Sequence, residues 1–526
     1  MGRPLTECHV VDVTANTDSQ AADTPLEVFG RVVSAPAAEF CPPHSPNEGL
    51  ALPDQDENLP KTRQFVINGL IILTNFVQFT SMFSTLAGGL EFSARLGSEA
   101  TPGKANWMGA GFSLTQSAMV LISGRLGAIY GHNRCLLIGG SLIVIFSLAN
   151  AFTTTYGSFV AMRAMTGVGG GILMPNAVAS LMITTPPGPA RNATLAIFAA
   201  SPPIGALLGA LLAGVFLQET EWKWLFITIA MLEFTVLAVL FFILPREKPV
   251  DKDGKVDFVG ILLGVSGLVL FSFAWVQGPA VGWDTAYIIA TLVLSVVCLG
   301  GFYVWERSYA VEPLMPLRIF SAPTFSALIV VVLLTYMSVG IALWYMVAWQ
   351  QLIRHWTVLE LAVGWIPYSV GASLAVSLAA WLIPRLAAQY MLAIGVFASL
   401  ASLLLLATMP EQQTYWAQTF PAIFIGSICA DFVYVAAQII ASNSVGKHEQ
   451  GIAGSLIGTL NLYGNSLGLG FAGTLEIQLV KDGASESLSY RAALFFGAGL
   501  TVAALVVNFA FVRVPRDKNT GEEEEP

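Results

Sequence analysis

The chain has 526 residues, of which 55% are hydrophobic and only 11% are charged. Soluble domains carry roughly 25% charged residues, so this composition excludes an ordinary soluble protein and predicts a polytopic membrane protein in contact with the lipid bilayer. The net charge of −9 lies largely in the tails, and no nucleic-acid partner is expected. Five scattered cysteines argue against a disulfide framework or a zinc site, and no metal is expected.

The apolar stretches predict an all-α fold with fourteen transmembrane helices, arranged as six, two and six. The predicted spans are 65–89, 105–124, 135–155, 158–184, 193–217, 224–244, 258–276, 285–304, 324–347, 358–383, 391–409, 416–441, 451–475 and 492–511. They divide the chain into a disordered N-terminal tail (1–64), a six-helix bundle (65–245), a charged linker (246–257), an inserted helix pair (258–305), a second six-helix bundle (306–512) and an acidic tail (513–526). Residues 1–60 contain no apolar segment typical of a signal peptide.

An even number of spans places both tails on one side of the membrane. Sixteen Lys and Arg residues then fall on the tail side and six on the other side, which predicts that both tails are cytoplasmic. We expect a multi-pass protein of the plasma membrane.

Charges near the centre of a bilayer cost a few kcal/mol each on insertion scales, and three charged residues in the predicted spans stand out for this reason. Arg163 precedes four glycines in the fourth span, and Asp431 lies mid-span in the twelfth. A carboxylate at that depth could exchange a proton as a cavity opens to alternate sides, or it could be satisfied by a structural partner. Glu233, in an otherwise apolar sixth span, fits a functional and a structural role equally well.

Two stretches are rich in glycine. The first is predicted to form a short basic turn at a cytoplasmic gate, because glycine permits a tight connection and close backbone approach. It contains Gly124, Arg125, Gly127, Gly131 and Arg134. The second should bend the fifth span at its prolines and give it a smooth packing face, and it contains Pro202, Pro203, Gly205, Gly209 and Gly214.

Amide side chains inside the spans need hydrogen-bond partners, either in the helix bundle or in a water-filled cavity. Five such residues are therefore candidate cavity groups. They are Asn75, Gln78, Gln116, Asn461 and Asn465. The chain has no G-x4-G-K-[ST] loop, its five histidines fall outside the spans, and no Ser-His-Asp grouping can be assembled at a plausible depth. We therefore expect neither an enzyme nor a bound cofactor.

Several of these stretches resemble motifs of the major facilitator superfamily. Residues 124–134 resemble its loop motif between spans two and three, 163–169 its fourth-span motif, and 205–214 its fifth-span antiporter motif. Residues 256–283 are similar to the inserted spans of fourteen-span drug:proton antiporters, and residues 442–456 and 466–476 are similar to fungal aminotriazole- and boron-resistance pumps. The resemblance implies proton coupling through the Arg163 motif and places Asp431 where that fungal branch has an aspartate.

The chain departs from the superfamily motifs at three positions. The loop motif normally has an aspartate at Ala128, which in the family helps fasten one transport state. The antiporter motif normally has proline at Ala210 and glycine at Ala213. These departures leave the gate and the antiporter assignment open.

The sequence predicts a proton-coupled secondary transporter, a monomer that exports a small organic compound such as a drug or fungal metabolite by alternating access. Its energy source would be the proton gradient. The alternatives are a low-affinity transporter of ammonium or borate, a transporter-like sensor, and a membrane-embedded enzyme, which the missing catalytic cluster disfavours.

Overall fold

The computed structural model describes residues 60–513, except 99, 187, 248, 253, 384, 447 and 448. The predicted tails (1–64 and 513–526) lie outside the described residues, apart from 60–64 and Arg513. Within the described part every regular element is a helix. The α-helices are α1 (Lys61–Arg95), α2 (Asn106–Tyr130), α3 (His132–Ala151), α4 (Tyr156–Thr184), α5 (Pro189–Glu219), α6 (Lys223–Ile243), α7 (Phe258–Val281), α8 (Ala286–Ser308), α9 (Pro323–Ala348), α10 (Val358–Gly364), α11 (Ile366–Leu382), α12 (Ala388–Thr408), α13 (Thr419–Ser444), α14 (Gln450–Lys481) and α15 (Glu486–Phe511).

The helices account for the predicted spans. Within the described residues, twelve segments are long and apolar enough to cross a membrane, and α10 with α11 forms one of them. The predicted second and thirteenth spans correspond to α2 and α14, which are rich in glycine and polar residues and pack against each other. Their polar character fits a position between other helices rather than against lipid, so the fold is consistent with fourteen crossings.

The tenth predicted span is not one continuous helix. It divides at Trp365, and α11 begins with Pro367 in its first turn. Proline has no backbone N–H and its ring clashes with the preceding turn, which favours a helix start at this point.

Two six-helix halves and an inserted pair make up the bundle. In the first half α1 packs on α5, and α4 packs on α2 and α3. In the second half α9 packs on α14 and α15, and α12 packs on α13. The inserted helices α7 and α8 pack on each other, and α7 covers the line where α2 of the first half meets α14 of the second.

The two ends of the described chain lie on one side of the bundle. Arg63, near the start of α1, donates to the Ile243 carbonyl at the end of α6. Thr324, at the start of α9, donates to the Arg513 carbonyl beyond α15. Arg125 connects these two regions, because it pairs with Asp251, shortly after α6, and with Glu312, shortly before α9. We call this side the tail face and the opposite side the far face.

The halves meet closely toward the far face. The fully buried Trp344 of α9 packs against Gly89 of α1, and its indole Nε1 donates to the Pro102 carbonyl at 3.0 Å. Gln351 donates to the Ala87 carbonyl at 2.7 Å, and Gly214 of α5 lies against the Leu359 backbone of α10. The structure is therefore closed toward the far face.

Candidate functional site

The second half contains a cavity in the part of the bundle nearer the far face. Its empty volume is about 460 Å³, a figure that includes space open to solvent. Four spans contribute to it, and its lining is almost entirely apolar. The lining residues are Val339, Ala342, Leu343, Met346, Trp365, Tyr368, Ser399, Ser402, Leu406, Ala422, Ile423 and Gly426.

Asp431 lies on α13, five residues beyond the cavity residue Gly426. It is close enough to Tyr336 of α9 and Tyr368 of α11 to interact with both electrostatically. One carboxylate oxygen, Oδ2, is buried and has no hydrogen-bond partner among the described residues, while the residue as a whole is partly exposed. Asp431 therefore lies in the second half, within electrostatic range of the cavity residue Tyr368.

Trp365 supplies an unused hydrogen-bond donor to the cavity wall. The residue is 2% exposed, and its indole Nε1 has no partner among the described residues. Its ring stands edge-on to Phe83 of α1, with centroids 6.1 Å apart. Trp365 thus lies where the cavity of the second half meets the first half.

Arg163 is enclosed within the first half. Its Nη1 and Nη2 donate to the Oγ and carbonyl oxygen of Ser81 on α1, both at 2.8 Å. The guanidinium lies 4.9 Å from the ring centroid of Phe112 and 5.7 Å from that of Phe226. It has no carboxylate partner within the described residues, so its observed contacts fasten α4 to α1.

The glycines after Arg163 bring α4 close to its neighbours. A Cβ atom at Gly167 would lie 2.3 Å from the Phe112 carbonyl oxygen of α2, and one at Gly169 would lie 2.6 Å from the Gly139 carbonyl oxygen of α3. Neither distance is compatible with a side chain. The close packing expected from the sequence is present on two sides of α4.

The glycine-rich stretch around Arg125 is mostly helical, which corrects the expectation of a loop. Helix α2 continues through Gly124 and Gly127 to Tyr130, and only Gly131, with φ +100°, makes the turn into α3. A Cβ at Gly127 would lie 1.9 Å from the Asn176 Oδ1 atom of α4. That glycine serves helix packing rather than chain reversal. Arg134 is exposed at the start of α3.

Arg125 forms ion pairs with two carboxylates, neither of which comes from the motif position Ala128. Its Nη1 pairs with Asp251 Oδ2 at 2.7 Å, and its Nη2 pairs with Glu312. Asp251 belongs to the segment between α6 and α7, and its backbone N–H donates to the Ala128 carbonyl at 3.0 Å. Two connecting segments therefore hold the tail-face end of α2.

Helix α5 is continuous through its two prolines. A Cβ at Gly209 would lie 2.3 Å from the Thr80 carbonyl oxygen, and one at Gly205 would lie 2.7 Å from the Phe76 carbonyl oxygen, so both glycines pack on α1. The Pro203 carbonyl accepts a hydrogen bond from Ser369 Oγ of α11 at 2.7 Å. This helix therefore joins the two halves.

A family profile described as the Major Facilitator Superfamily matches residues 65–469 and 328–526. The chain belongs to this superfamily. It is a multi-pass membrane transporter rather than an enzyme.

Named relatives support the predicted fungal branch. The chain is 31% identical to an aminotriazole resistance protein of Saccharomyces cerevisiae, over 77% of this chain and 76% of the relative. It is 32% identical to a low affinity ammonium transporter of the same yeast (77% and 80%) and 30% identical to the efflux pump terJ of Aspergillus terreus (77% and 80%). It also matches the crystal structure of a POT family transporter in complex with 5-aminolevulinic acid, with a TM-score of 0.61 at 15% identity, over 84% of this chain and 95% of that chain.

Glu233 of this superfamily member lies away from the cavity, between α6 and α3. Its Oε1 atom is 3.1 Å from where a Cβ of Gly140 would stand. The residue is fully buried, and neither carboxylate oxygen has a hydrogen-bond partner within the described residues.

The five amide residues divide between the halves. Asn75 donates to Ser201 at 2.7 Å, whereas the amide groups of Gln78 and Gln116 are fully buried without partners in the described part of the chain. In the second half Asn465 donates to the Asn461 carbonyl at 2.8 Å, and both residues are partly exposed.

Sequence reasoning missed Trp365, Tyr368 and Tyr336. Aromatic residues are ordinary components of apolar helices, so their type gave no signal. The break at Pro367 was a usable clue, because helix ends in a membrane protein expose groups that often line a cavity.

Proposed function

We propose that this superfamily member is a proton-coupled exporter of a small organic compound, acting as a monomer in the plasma membrane with its tail face toward the cytoplasm. The observation that carries the proposal is the position of Asp431, an intramembrane carboxylate near an apolar cavity. One of its oxygens has no partner among the described residues, and it lies within electrostatic range of Tyr368, which lines the cavity. The efflux pump and resistance protein among its relatives support export.

The proposed cargo is a small organic molecule that carries a hydrogen-bond acceptor. The cavity walls would contact its apolar surface, and the free Nε1–H of Trp365 would bind the acceptor. An unpaired donor in an apolar wall costs free energy until a ligand satisfies it, so it favours a cargo with a matching group.

In the proposed cycle Asp431 binds a proton when the cavity is open to the far face and releases it when the cavity is open to the tail face. Burial disfavours the charged carboxylate, so proton uptake and conformational closure support each other. Arg163 keeps α4 and α1 of the first half together while the halves move.

The test is flux into proteoliposomes with and without a pH gradient, using radiolabelled aminotriazole and methylammonium as probes. Proton-coupled export predicts that aminotriazole accumulates against its gradient only when the pH gradient has the exchanging polarity. Aminotriazole flux indifferent to both polarities of the gradient would contradict proton coupling.

Transport of ammonium is the second candidate, favoured by the 32% identity to a low affinity ammonium transporter. Saturable methylammonium flux without aminotriazole flux would support it against the exporter. Absence of flux for both probes, with retained binding, would favour a sensor.

A further inference from the structure

Glu476, near the far-face end of α14, is a buried carboxylate that none of the preceding site residues uses. It is 2% exposed, and its Oε2 atom accepts a hydrogen bond from the Tyr345 hydroxyl of α9 at 2.8 Å. The same oxygen packs against Gly103, in the segment between α1 and α2. The carboxylate therefore contacts both halves of the transporter.

The position of Gly103 shows how closely the first half is seated on the second. A Cβ there would lie 2.9 Å from Ile477 Cγ1 and 3.1 Å from Glu476 Oε2. Beside it, Asn106 Nδ2 donates to the Leu469 carbonyl of α14 at 3.1 Å. The segment before α2 thus rests directly on α14.

We propose that Glu476, Tyr345 and Gly103 form a far-face latch that holds the transporter closed toward the far face. The halves cannot separate on that face without breaking the contact between Glu476 and Gly103, because the two residues belong to different halves. Separation would admit water to the carboxylate, so hydration would replace the lost contact. The latch can consequently open and close with a small free-energy difference.

The test measures the opening itself, independently of substrate, direction and proton coupling. Spin labels are attached to cysteines replacing Ala94 and Lys481, which are exposed at the far-face ends of α1 and α14. The background replaces the five native cysteines with serine or alanine. Distances between the labels are measured by double electron–electron resonance on the purified full chain in lipid nanodiscs.

In the unmodified latch we expect one short distance. Glu476→Ala should add a longer distance, with the open fraction relative to the closed one rising about fivefold, because the substitution removes the contact with Gly103 and the hydrogen bond from Tyr345. Tyr345→Phe removes one hydroxyl with little risk to folding and should shift the distribution in the same direction by a smaller factor. Gln478→Ala, two residues along α14, bonded to Asp482 and exposed, is the matched control and should change nothing.

The latch is refuted if both Glu476→Ala and Tyr345→Phe retain the unmodified distance distribution. It is equally refuted if Gln478→Ala opens the far face as much as they do, since the effect would then belong to α14 in general. Failure of pH-driven transport without a change in these distances would count against proton coupling and leave the latch in place.

Discussion

Replacing Asp431 with asparagine separates proton coupling from folding. The substitution nearly preserves shape and removes a carboxylate whose Oδ2 has no partner within the described residues. Because no ion pair or hydrogen bond to that oxygen is lost, and a buried charge is costly, we expect the melting temperature to stay constant or rise slightly. The effect on coupling should be large.

The size of the effect on coupling follows from the free energy that the pH gradient supplies. A pH difference of one unit is worth about 1.4 kcal/mol per proton, which supports an approximately tenfold substrate ratio across the membrane when one proton is exchanged for each substrate. In Asp431→Asn that ratio should fall to about one under the same gradient, whereas exchange of labelled for unlabelled substrate should continue.

The assay is steady-state accumulation of radiolabelled aminotriazole in proteoliposomes, with Glu233→Gln as the matched control. Glu233 is also a buried carboxyl without hydrogen-bond partners in the described residues, but it lies between α3 and α6, away from the cavity. Glu233→Gln should keep the tenfold ratio. A coupled ratio in Asp431→Asn, or its loss in Glu233→Gln, would overturn the assignment of Asp431.

Three further substitutions test other parts of the site. Arg163→Lys cannot make both 2.8 Å bonds to Ser81 in the same geometry, so it should lower stability by about 1.5–3 kcal/mol, seen as a lower melting temperature in detergent. Gly167→Leu should reduce the yield of folded protein on size-exclusion chromatography, because even a Cβ would stand 2.3 Å from the Phe112 carbonyl oxygen; a normal elution profile would argue against tight α2–α4 packing. Trp365→Phe keeps the apolar wall but removes the free Nε1–H, so it should weaken aminotriazole binding by about fivefold or more in equilibrium dialysis without changing the melting temperature, and unchanged affinity would exclude that donor.

Hydropathy is a local property of the chain, so the membrane class, the helix positions and the six-two-six order could be predicted from residues alone. The close packing of α4 was also predictable, because four glycines within five residues of a membrane helix indicate close approach to neighbouring helices. The predicted loop at Gly124 and Gly127 was wrong, because a glycine that permits a turn and one that permits close helix contact look the same in sequence. Only the position of Asn176 on α4 distinguishes them.

Other features depended on which segments meet in space. Arg125 pairs with Asp251 and Glu312, which are 126 and 187 residues away along the chain. No local pattern could predict those ion pairs.

The three charged residues inside the spans also separate what the sequence determines from what the tertiary structure decides. The sequence by itself determined that Arg163, Glu233 and Asp431 lie at membrane depth, because depth follows from position along an apolar helix. Only the tertiary structure decided that Arg163 binds Ser81, that Glu233 lies against α3, and that Asp431 lies beside Tyr368 and the cavity. The physical reason is that the direction in which a helix side chain points relative to its neighbours is set by the packing of the whole bundle, and these helices, apolar on nearly every side, carry little information about which side faces inward.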